Sequence, residues 1–167
     1  MKKIVSGVLF GLLLLGCSSK SEETQSIEQK LVVGKSLQNL SLKDQFEKEH
    51  TLKAETTQII FALSKESAHI CNDFFATQTP TYLDEHKTQF VADVSAAPSL
   101  IRSMFIMPGL KDFKHTVLIL DDETQAAPYR TGVDSEKILL VKLTSGEITS
   151  IQTLSTQAEL QAAIEAN

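Results

Sequence analysis

The chain has 167 residues, 42% of them hydrophobic, and a formal net charge of −5. This acidic balance excludes a nucleic-acid partner, because such a protein needs a basic face that releases counterions. It gives no reason to expect polybasic attraction to anionic lipid either. Beyond the N-terminal segments, about 135 residues remain, which is the usual size of one domain with one core.

The first seventeen residues have the build of a secretion signal. Two lysines precede an apolar run, Val5 to Leu15, that is too short to span a bilayer stably. The sequence Leu14-Leu15-Gly16-Cys17 then resembles the lipobox of bacterial lipoproteins. The resemblance implies that residues 1–16 are a signal peptide that is removed. It also implies that Cys17 is acylated and anchors the protein in a lipid bilayer, since buried acyl chains bind membranes strongly.

The residues after the cysteine suggest a location and a tether. Ser18 follows Cys17, whereas an Asp at that position favours inner-membrane retention in enteric bacteria. In a Gram-negative host we therefore expect the periplasmic side of the outer membrane, with the inner membrane as the less favoured alternative. Residues 17–34 are expected to form the lipidated cysteine and a flexible polar tether, because they bury too little apolar surface to offset ordering entropy. Residues 35–167 are then the folded domain.

Strands alternate with helices along the rest of the chain. Apolar and β-branched runs predict strands at residues 39–42, 51–53, 57–63, 89–94, 116–120, 138–143 and 147–154. Capping and stop signals predict helices after Ser64 or Ser67, from Thr79-Pro80, from Pro98 to Pro108-Gly109, and after the capping box of Thr156 and Glu159. Residues 124–136 are either a loop or a short helix. This order predicts an α/β sheet with helices on both faces.

Several segments resemble the thioredoxin/redoxin superfamily, over residues 36–165. Leu42 to Phe46 is similar to the redoxin entry hairpin, and Ile59 to Leu63 stands where those proteins have the strand leading to their active site. The stretch from Thr131 to Ile148 resembles the closing strand pattern, and the second half also resembles the YtfJ family, periplasmic proteins of this fold without a catalytic cysteine pair. The resemblance implies a thioredoxin-like central sheet.

The catalytic parts of that family are missing. Its redox members carry Cys-x-x-Cys after the strand, where this chain has Ser64-Lys65-Glu66-Ser67. Their cis-proline would fall within Asp134-Ser135-Glu136, which contains no proline. The resemblance therefore implies a domain without thiol–disulfide exchange. Ser64, Lys65, Glu66 and Ser67 are the candidate binding loop. With the neighbouring segment Asp134 to Lys137, they are expected to form an exposed edge at the carboxyl ends of the strands, where open α/β sheets bind ligands.

Cys71 is the candidate for residual thiol chemistry. If Cys17 carries lipid, Cys71 is the one remaining thiol, so no intramolecular disulfide can form. Peroxidatic cysteines have a Pro and a Thr upstream at fixed spacing, and Ala68-His69-Ile70 does not match that pattern. Cys71 shares a helical face with Ala68 and Phe75, which predicts a core position.

No metal or cofactor site is predicted. Asp121-Asp122-Glu123 could bind a hard cation, but an acidic turn at a strand end is more often solvated, and the four histidines show no zinc-site spacing. Met104 and Met107 beside Phe105 suggest copper, but the Cys-x-x-x-Cys of copper-chaperone relatives is absent, so core packing is expected.

Three functions follow from these patterns. The favoured one is a non-catalytic lipoprotein whose thioredoxin-like domain binds an envelope protein or a small ligand, without a catalytic residue. The second is an enzyme, a single-Cys thiol reductase or peroxidase that uses Cys71. The third is a component of envelope assembly, in which the anchor and the tether are the main functional parts.

Overall fold

The computed structural model describes residues 27–166, so the signal peptide, Cys17 and most of the tether lie outside the described part. The strands are β1 (Ser41–Asp44), β2 (Glu49–Thr51), β3 (Gln58–Ala62), β4 (Thr88–Asp93), β5 (Leu118–Leu120), β6 (Ile138–Thr144) and β7 (Glu147–Leu154). The helices are α1 (Lys65–Ala76), α2 (Tyr82–Glu85), α3 (Ser99–Ile101), α4 (Met107–Lys111), α5 (Glu123–Arg130) and α6 (Gln157–Glu165). A π-helical turn, Arg102–Ile106, joins α3 to α4. Within this part, no helix has the length and hydropathy needed to cross a membrane.

The strands form one mixed sheet in the order β2-β1-β5-β4-β3-β6-β7. Strands β3, β4 and β5 are parallel neighbours, and β6 runs antiparallel to β3. All five residues of β3 are buried, as expected for a central strand covered on both sides. Helices α1, α2, α4 and α6 contribute to the core on one face of the sheet, and α5 packs on the other face. The predicted α/β class is confirmed.

The sequence predicted the centre and the end of the domain well. Strand β3, the β6–β7 hairpin and helix α6 lie within one or two residues of their predicted bounds. In the hairpin turn, Ser145 and Gly146 both have positive φ, which matches the twist of the flanking strands. The hydroxyl of Thr156 and the carboxylate of Glu159 form the predicted reciprocal cap of α6.

The N-terminal boundary of the domain was predicted too late. Residues up to 34 were assigned to the tether, but Leu31 is only 3% exposed and belongs to the core on the α5 side. The backbone N–H of Lys30 donates to the carbonyl of Pro128 at 2.9 Å. The N–H of Gly34 also donates to the carbonyl of Ile148 at 2.8 Å. The packed part of the domain therefore begins near residue 30.

The entry hairpin and the second helix are also displaced from the prediction. The first two strands were expected at 39–42 and 51–53, whereas β1 and β2 enclose a tight turn in which Asp44 Oδ1 accepts from the N–H groups of Phe46 and Lys48. That side-chain cap moves both strand ends toward the turn. Helix α2 begins after Thr81 rather than at Pro80. Residues 123–130, within a region left open as a loop or helix, form α5.

The helix after Pro98 differs most from the prediction. It was expected to end at Pro108-Gly109, but helical backbone continues to Lys111. The N–H of Met107 bonds to the carbonyl of Arg102, and such a widened π turn accommodates the proline that follows, which has no N–H to donate.

The apolar side of this helical segment was expected to pack in the core, and that expectation is wrong. The side chains of Leu100, Ile101, Met104 and Phe105 are exposed. The Arg102 guanidinium donates to the carbonyls of Val94 and Asp121, which turns the opposite side of the segment inward. Ile106, Met107 and Leu110 meet the core instead.

A buried histidine should make the stability of the domain depend on pH. His115 is 3% exposed, its Nε2 lies 3.2 Å from the carbonyl of Phe75, and burial lowers the pKa of its imidazole. Because an unfolded histidine titrates near pH 6.5, the unfolded chain binds the extra proton first as the pH falls. The stability that neutral His115 contributes is therefore complete above about pH 6.5 and is lost below it.

His115→Gln should flatten this dependence. We expect the free energy of unfolding of the wild type to fall by up to about 2 kcal/mol more than that of the variant between pH 7 and pH 5. Urea unfolding at both pH values measures the difference between the two slopes, so the contributions of other histidines cancel. Equal slopes would show that His115 takes up its proton equally well in the folded domain.

Candidate functional site

Two serines stand at the start of α1, where the chain leaves the central strand β3. Ser64 is the N-cap, and its Oγ accepts from the N–H of Ser67 at 3.2 Å. The Oγ of Ser67 in turn accepts from the N–H of Ser64 at 3.1 Å, and the two Oγ atoms are 3.1 Å apart. Each hydroxyl thus satisfies a backbone donor that the first turn of a helix leaves open.

An open cleft of about 510 Å³ lies directly beside this helix start, at the carboxyl ends of the parallel strands. It brings together four segments of the chain: the start of α1, the loop after β4, the end of α5 and the segment before β6. Its lining consists of Leu63, Ser64, Lys65, Glu66, Ala96, Arg130, Ser135 and Glu136.

The structure separates the four residues of the candidate binding loop. Ser64, Lys65 and Glu66 line the cleft, and the side chains of Lys65 and Glu66 are exposed. Ser67 is fully buried and acts as a helix cap. Only the first three residues are therefore placed to meet a ligand.

Arg130 is a cleft residue that the sequence did not indicate. Its Nη1 lies 3.4 Å from Oδ2 of Asp93, whose side chain is 1% exposed, and its Nη2 bonds to Glu123. The other oxygen of Asp93 accepts from the N–H and the hydroxyl of Ser95, at 2.8 and 2.6 Å. A buried carboxylate at the end of β4 thus holds Arg130 against the cleft wall. The signal in the sequence was Asp93, a charged residue at the end of a buried strand, but no neighbouring residue in the sequence identified Arg130 as its partner.

The cleft is polar and of mixed charge. Lys65 and Arg130 contribute positive charge, and Glu66 and Glu136 contribute negative charge. Since Asp93 and Glu123 already pair with Arg130, the cleft is not a strong anion site. Such a surface suits a ligand that carries both donors and acceptors, such as a polypeptide backbone with charged side chains.

Cys71 lies away from this cleft, on the second turn of α1. Its side chain is fully buried in the core formed by α1, α2, α6 and the sheet, and it is a free thiol. Burial in these apolar surroundings raises the pKa of the thiol far above its ordinary value. A thiolate, the form that attacks peroxides and disulfides, is therefore strongly disfavoured. His69 is exposed and does not line the cleft.

The acidic cluster after β5 has structural roles. Asp122 is the N-cap of α5 and accepts from the N–H groups of Thr124 and Gln125, and Glu123 pairs with Arg130. Across residues 27–166, no group of three or more His, Cys, Asp or Glu residues is placed to hold a metal ion.

No protein-family model matches the chain, and no curated protein is detectably similar to it in sequence. Several solved structures do match. One is a protein assigned as the thiol:disulfide interchange protein DsbE from Chlorobium tepidum, with a TM-score of 0.55 and 14% identity over 81% of this chain and 97% of that one. A second is peroxidoxin BcpB from Mycobacterium tuberculosis, with a TM-score of 0.52 and 14% identity over 83% of this chain and 96% of that one.

A third match is the thioredoxin domain of a thiol-disulfide oxidoreductase from Bacteroides vulgatus, with a TM-score of 0.51 and 13% identity over 82% of this chain and 99% of that one. Identities this low indicate shared architecture and carry no activity across. The sheet order, the helices on both faces and these neighbours agree with the resemblance found in the sequence. Residues 27–166 have a thioredoxin-like fold, the fold of thiol-disulfide oxidoreductases and peroxiredoxins.

Proposed function

We propose that this chain is a lipid-anchored accessory protein of the cell envelope whose thioredoxin-like domain binds a ligand without thiol chemistry. The carrying observation is the pair of capping serines, Ser64 and Ser67, at the helix start where redox members of this fold have two cysteines. A serine hydroxyl supports neither disulfide formation nor an accessible nucleophilic anion at neutral pH. The anchor is Cys17, and the periplasmic side of the outer membrane is the proposed location.

The burial of Cys71 argues against the alternative, a single-Cys reductase or peroxidase. The attacking thiol of such an enzyme must reach its substrate and must lose its proton easily. Cys71 has neither property, because its side chain is fully buried and its thiol pKa is raised. We therefore assign Cys71 to the core, where a thiol acts as a small apolar side chain.

The proposed ligand is a polar segment of an envelope protein or a small polar molecule, bound in the cleft beside α1. The mixed charges of Lys65, Glu66 and Glu136 support this proposal, as does the position at the carboxyl ends of the strands. The resemblance to the YtfJ family points in the same direction, since its members keep the fold without the cysteine pair.

Labelling of Cys71 tests the proposal that this domain carries out no thiol chemistry. In the folded protein, we expect Cys71 to react with an aromatic disulfide reagent at least about a hundredfold more slowly than in urea, because labelling requires opening of the core. Cys71→Ala should keep the fold and leave any ligand binding unchanged. A Cys71 that reacts rapidly in the native protein would support the enzyme instead.

Photo-crosslinking tests the cleft. A benzophenone amino acid in place of Lys65 should yield discrete adducts in whole cells, because the side chain at this position is exposed at the cleft. The matched control is the same replacement at Lys87, which is exposed before β4 at the opposite edge of the sheet. Adducts at residue 87 alone, or at neither position, would contradict ligand binding in the cleft.

A further inference from the structure

We propose that an exposed apolar face of this domain rests on the lipid bilayer in which the chain is anchored. The apolar face consists of Leu100, Ile101, Met104 and Phe105, on one side of the helical segment 99–106. The inference rests on the proposed acylation of Cys17 and adds an orientation to it.

The apolar face is as large as the largest apolar patches of monomeric proteins, which often have a function, and is too small to hold a second copy of the chain by itself. Its four side chains are 64%, 43%, 58% and 65% exposed. Together they expose on the order of 400 Å², the size at which apolar patches mark interaction sites. A stable protein–protein interface buries about 800 Å² on each partner, so a flat, extended surface such as a bilayer interface fits better.

The segment that carries the apolar face has no acidic side chain of its own. No Asp or Glu occurs between Asp93 and Asp112, although the chain contains 21 acidic residues. The charged residues in that interval are Arg102 and Lys111. In space, however, Arg102 bonds to the carbonyl of Asp121, and Asp121, Asp122 and Glu123 are exposed beside it. The apolar side chains, rather than charge, must therefore supply the attraction to the bilayer.

The length of chain outside the described residues keeps the domain close to the membrane. Nine residues lie between Cys17 and Ile27, and the fully extended chain from one to the other spans at most about 35 Å. A domain of this size has a radius of gyration of about 14 Å. The anchored domain therefore stays within roughly one domain diameter of the bilayer. At that distance its apolar face can contact the lipid whenever the domain turns toward it.

The tether and the apolar face lie at the same edge of the sheet. The N–H of Lys30 bonds to Pro128 in α5, the helix whose Arg130 reaches Asp93 at the end of β4. Arg102 reaches the carbonyl of Asp121, directly after the end of β5. The start of the domain and the apolar face can therefore face the bilayer together, and the cleft then opens toward the membrane surface.

Site-specific fluorescence in vesicles tests this contact. The lipidated protein is placed in vesicles of phosphatidylethanolamine and phosphatidylglycerol, with an environment-sensitive dye on Met104→Cys. Cys71 is buried and should not label. The matched control is Ala54→Cys, exposed before β3 at the opposite edge of the sheet. Lipids that carry a quencher should reduce the emission at residue 104 at least twofold more than at residue 54, and Phe105→Asp should remove the difference.

Each other outcome has a distinct meaning. A chain that does not float with the vesicles overturns the lipid anchor and this inference with it. A chain that floats, but is quenched equally at residues 104 and 54, overturns the contact and leaves the anchor in place. A dye at residue 104 that is shielded from aqueous iodide without being quenched by lipid shows that protein covers the apolar face, which also overturns the contact.

Discussion

Replacing Arg130 with Met is expected to lower the free energy of unfolding by about 3 kcal/mol, because it leaves a buried carboxylate without its counter-charge. The side chain of Asp93 is 1% exposed, and its Oδ2 lies 3.4 Å from Arg130 Nη1 and makes no hydrogen bond of its own. Methionine keeps the apolar stem of the arginine, so the loss reports on charge rather than on packing. Urea unfolding at pH 7 measures the change.

A double-mutant cycle and a matched arginine separate the ion pair from general disruption. Adding Asp93→Asn to Arg130→Met should recover at least about 1 kcal/mol, because an uncharged amide no longer needs a buried counter-charge and can still bond to Ser95. Arg102→Met should cost no more than about 1.5 kcal/mol, since Arg102 donates to the carbonyls of Val94 and Asp121. Equal losses at Arg130 and Arg102 would contradict a special role for the buried pair.

The ion pair also fixes the chemistry of the cleft. Arg130 is held by Asp93 and Glu123, so its guanidinium is already neutralised when a ligand arrives. A ligand therefore meets Arg130 mainly as a rigid hydrogen-bond donor in the cleft wall. This arrangement favours polar partners over highly charged anions and is consistent with the proposed binding of a polypeptide segment.

The sequence predicted elements whose signals are local. The capping box of α6 and the turn at Ser145-Gly146 lie within a few residues of the elements that they define. The run of apolar residues in β3 is buried on both faces and needs no partner to be recognised. These features were predicted because short-range geometry and hydrophobicity determine them.

The sequence did not predict the features that depend on contacts between residues far apart in the chain. Asp93 and Arg130 meet because β4 and α5 end at the same edge of the sheet, and no spacing in the sequence encodes that contact. The segment after Pro98 has apolar residues on two sides, so periodicity could not show which side packs inward. The core takes Ile106 and Met107, whereas Phe105 is exposed.

The candidate site was predicted in part. Its location after β3 followed from the resemblance to redoxins, and Ser64 and Lys65 do line the cleft. The inward position of Ser67 could not be predicted, because either serine could have capped the helix and both in fact do. The opposite wall comes in part from the segment Asp134 to Lys137, which was expected beside this loop. Its other part comes from α5, which local patterns described only as a loop or short helix.

Placing a cysteine pair at the start of α1 should give this domain a disulfide that can be formed and reduced. In the double variant Ser64→Cys/Ser67→Cys, we expect a disulfide to form in air, because the two Oγ atoms are only 3.1 Å apart. Small side-chain rotations then bring two sulfurs to the bonded distance of about 2.05 Å. The cysteine at residue 64 would stand at the N-terminus of α1, where the helix dipole stabilises a thiolate.

Two measurements check the double variant against the matched single variants Ser64→Cys and Ser67→Cys. Thiol titration in urea should find Cys71 alone in the oxidised double variant and three thiols after reduction, whereas each single variant shows two thiols in both states. Insulin reduction with dithiothreitol should be faster with the double variant than with either single variant or the wild type. Circular dichroism controls for the loss of the serine caps, which should cost about 1 kcal/mol each. A double variant whose thiols stay reduced would contradict the expectation that the geometry of this helix start allows a disulfide.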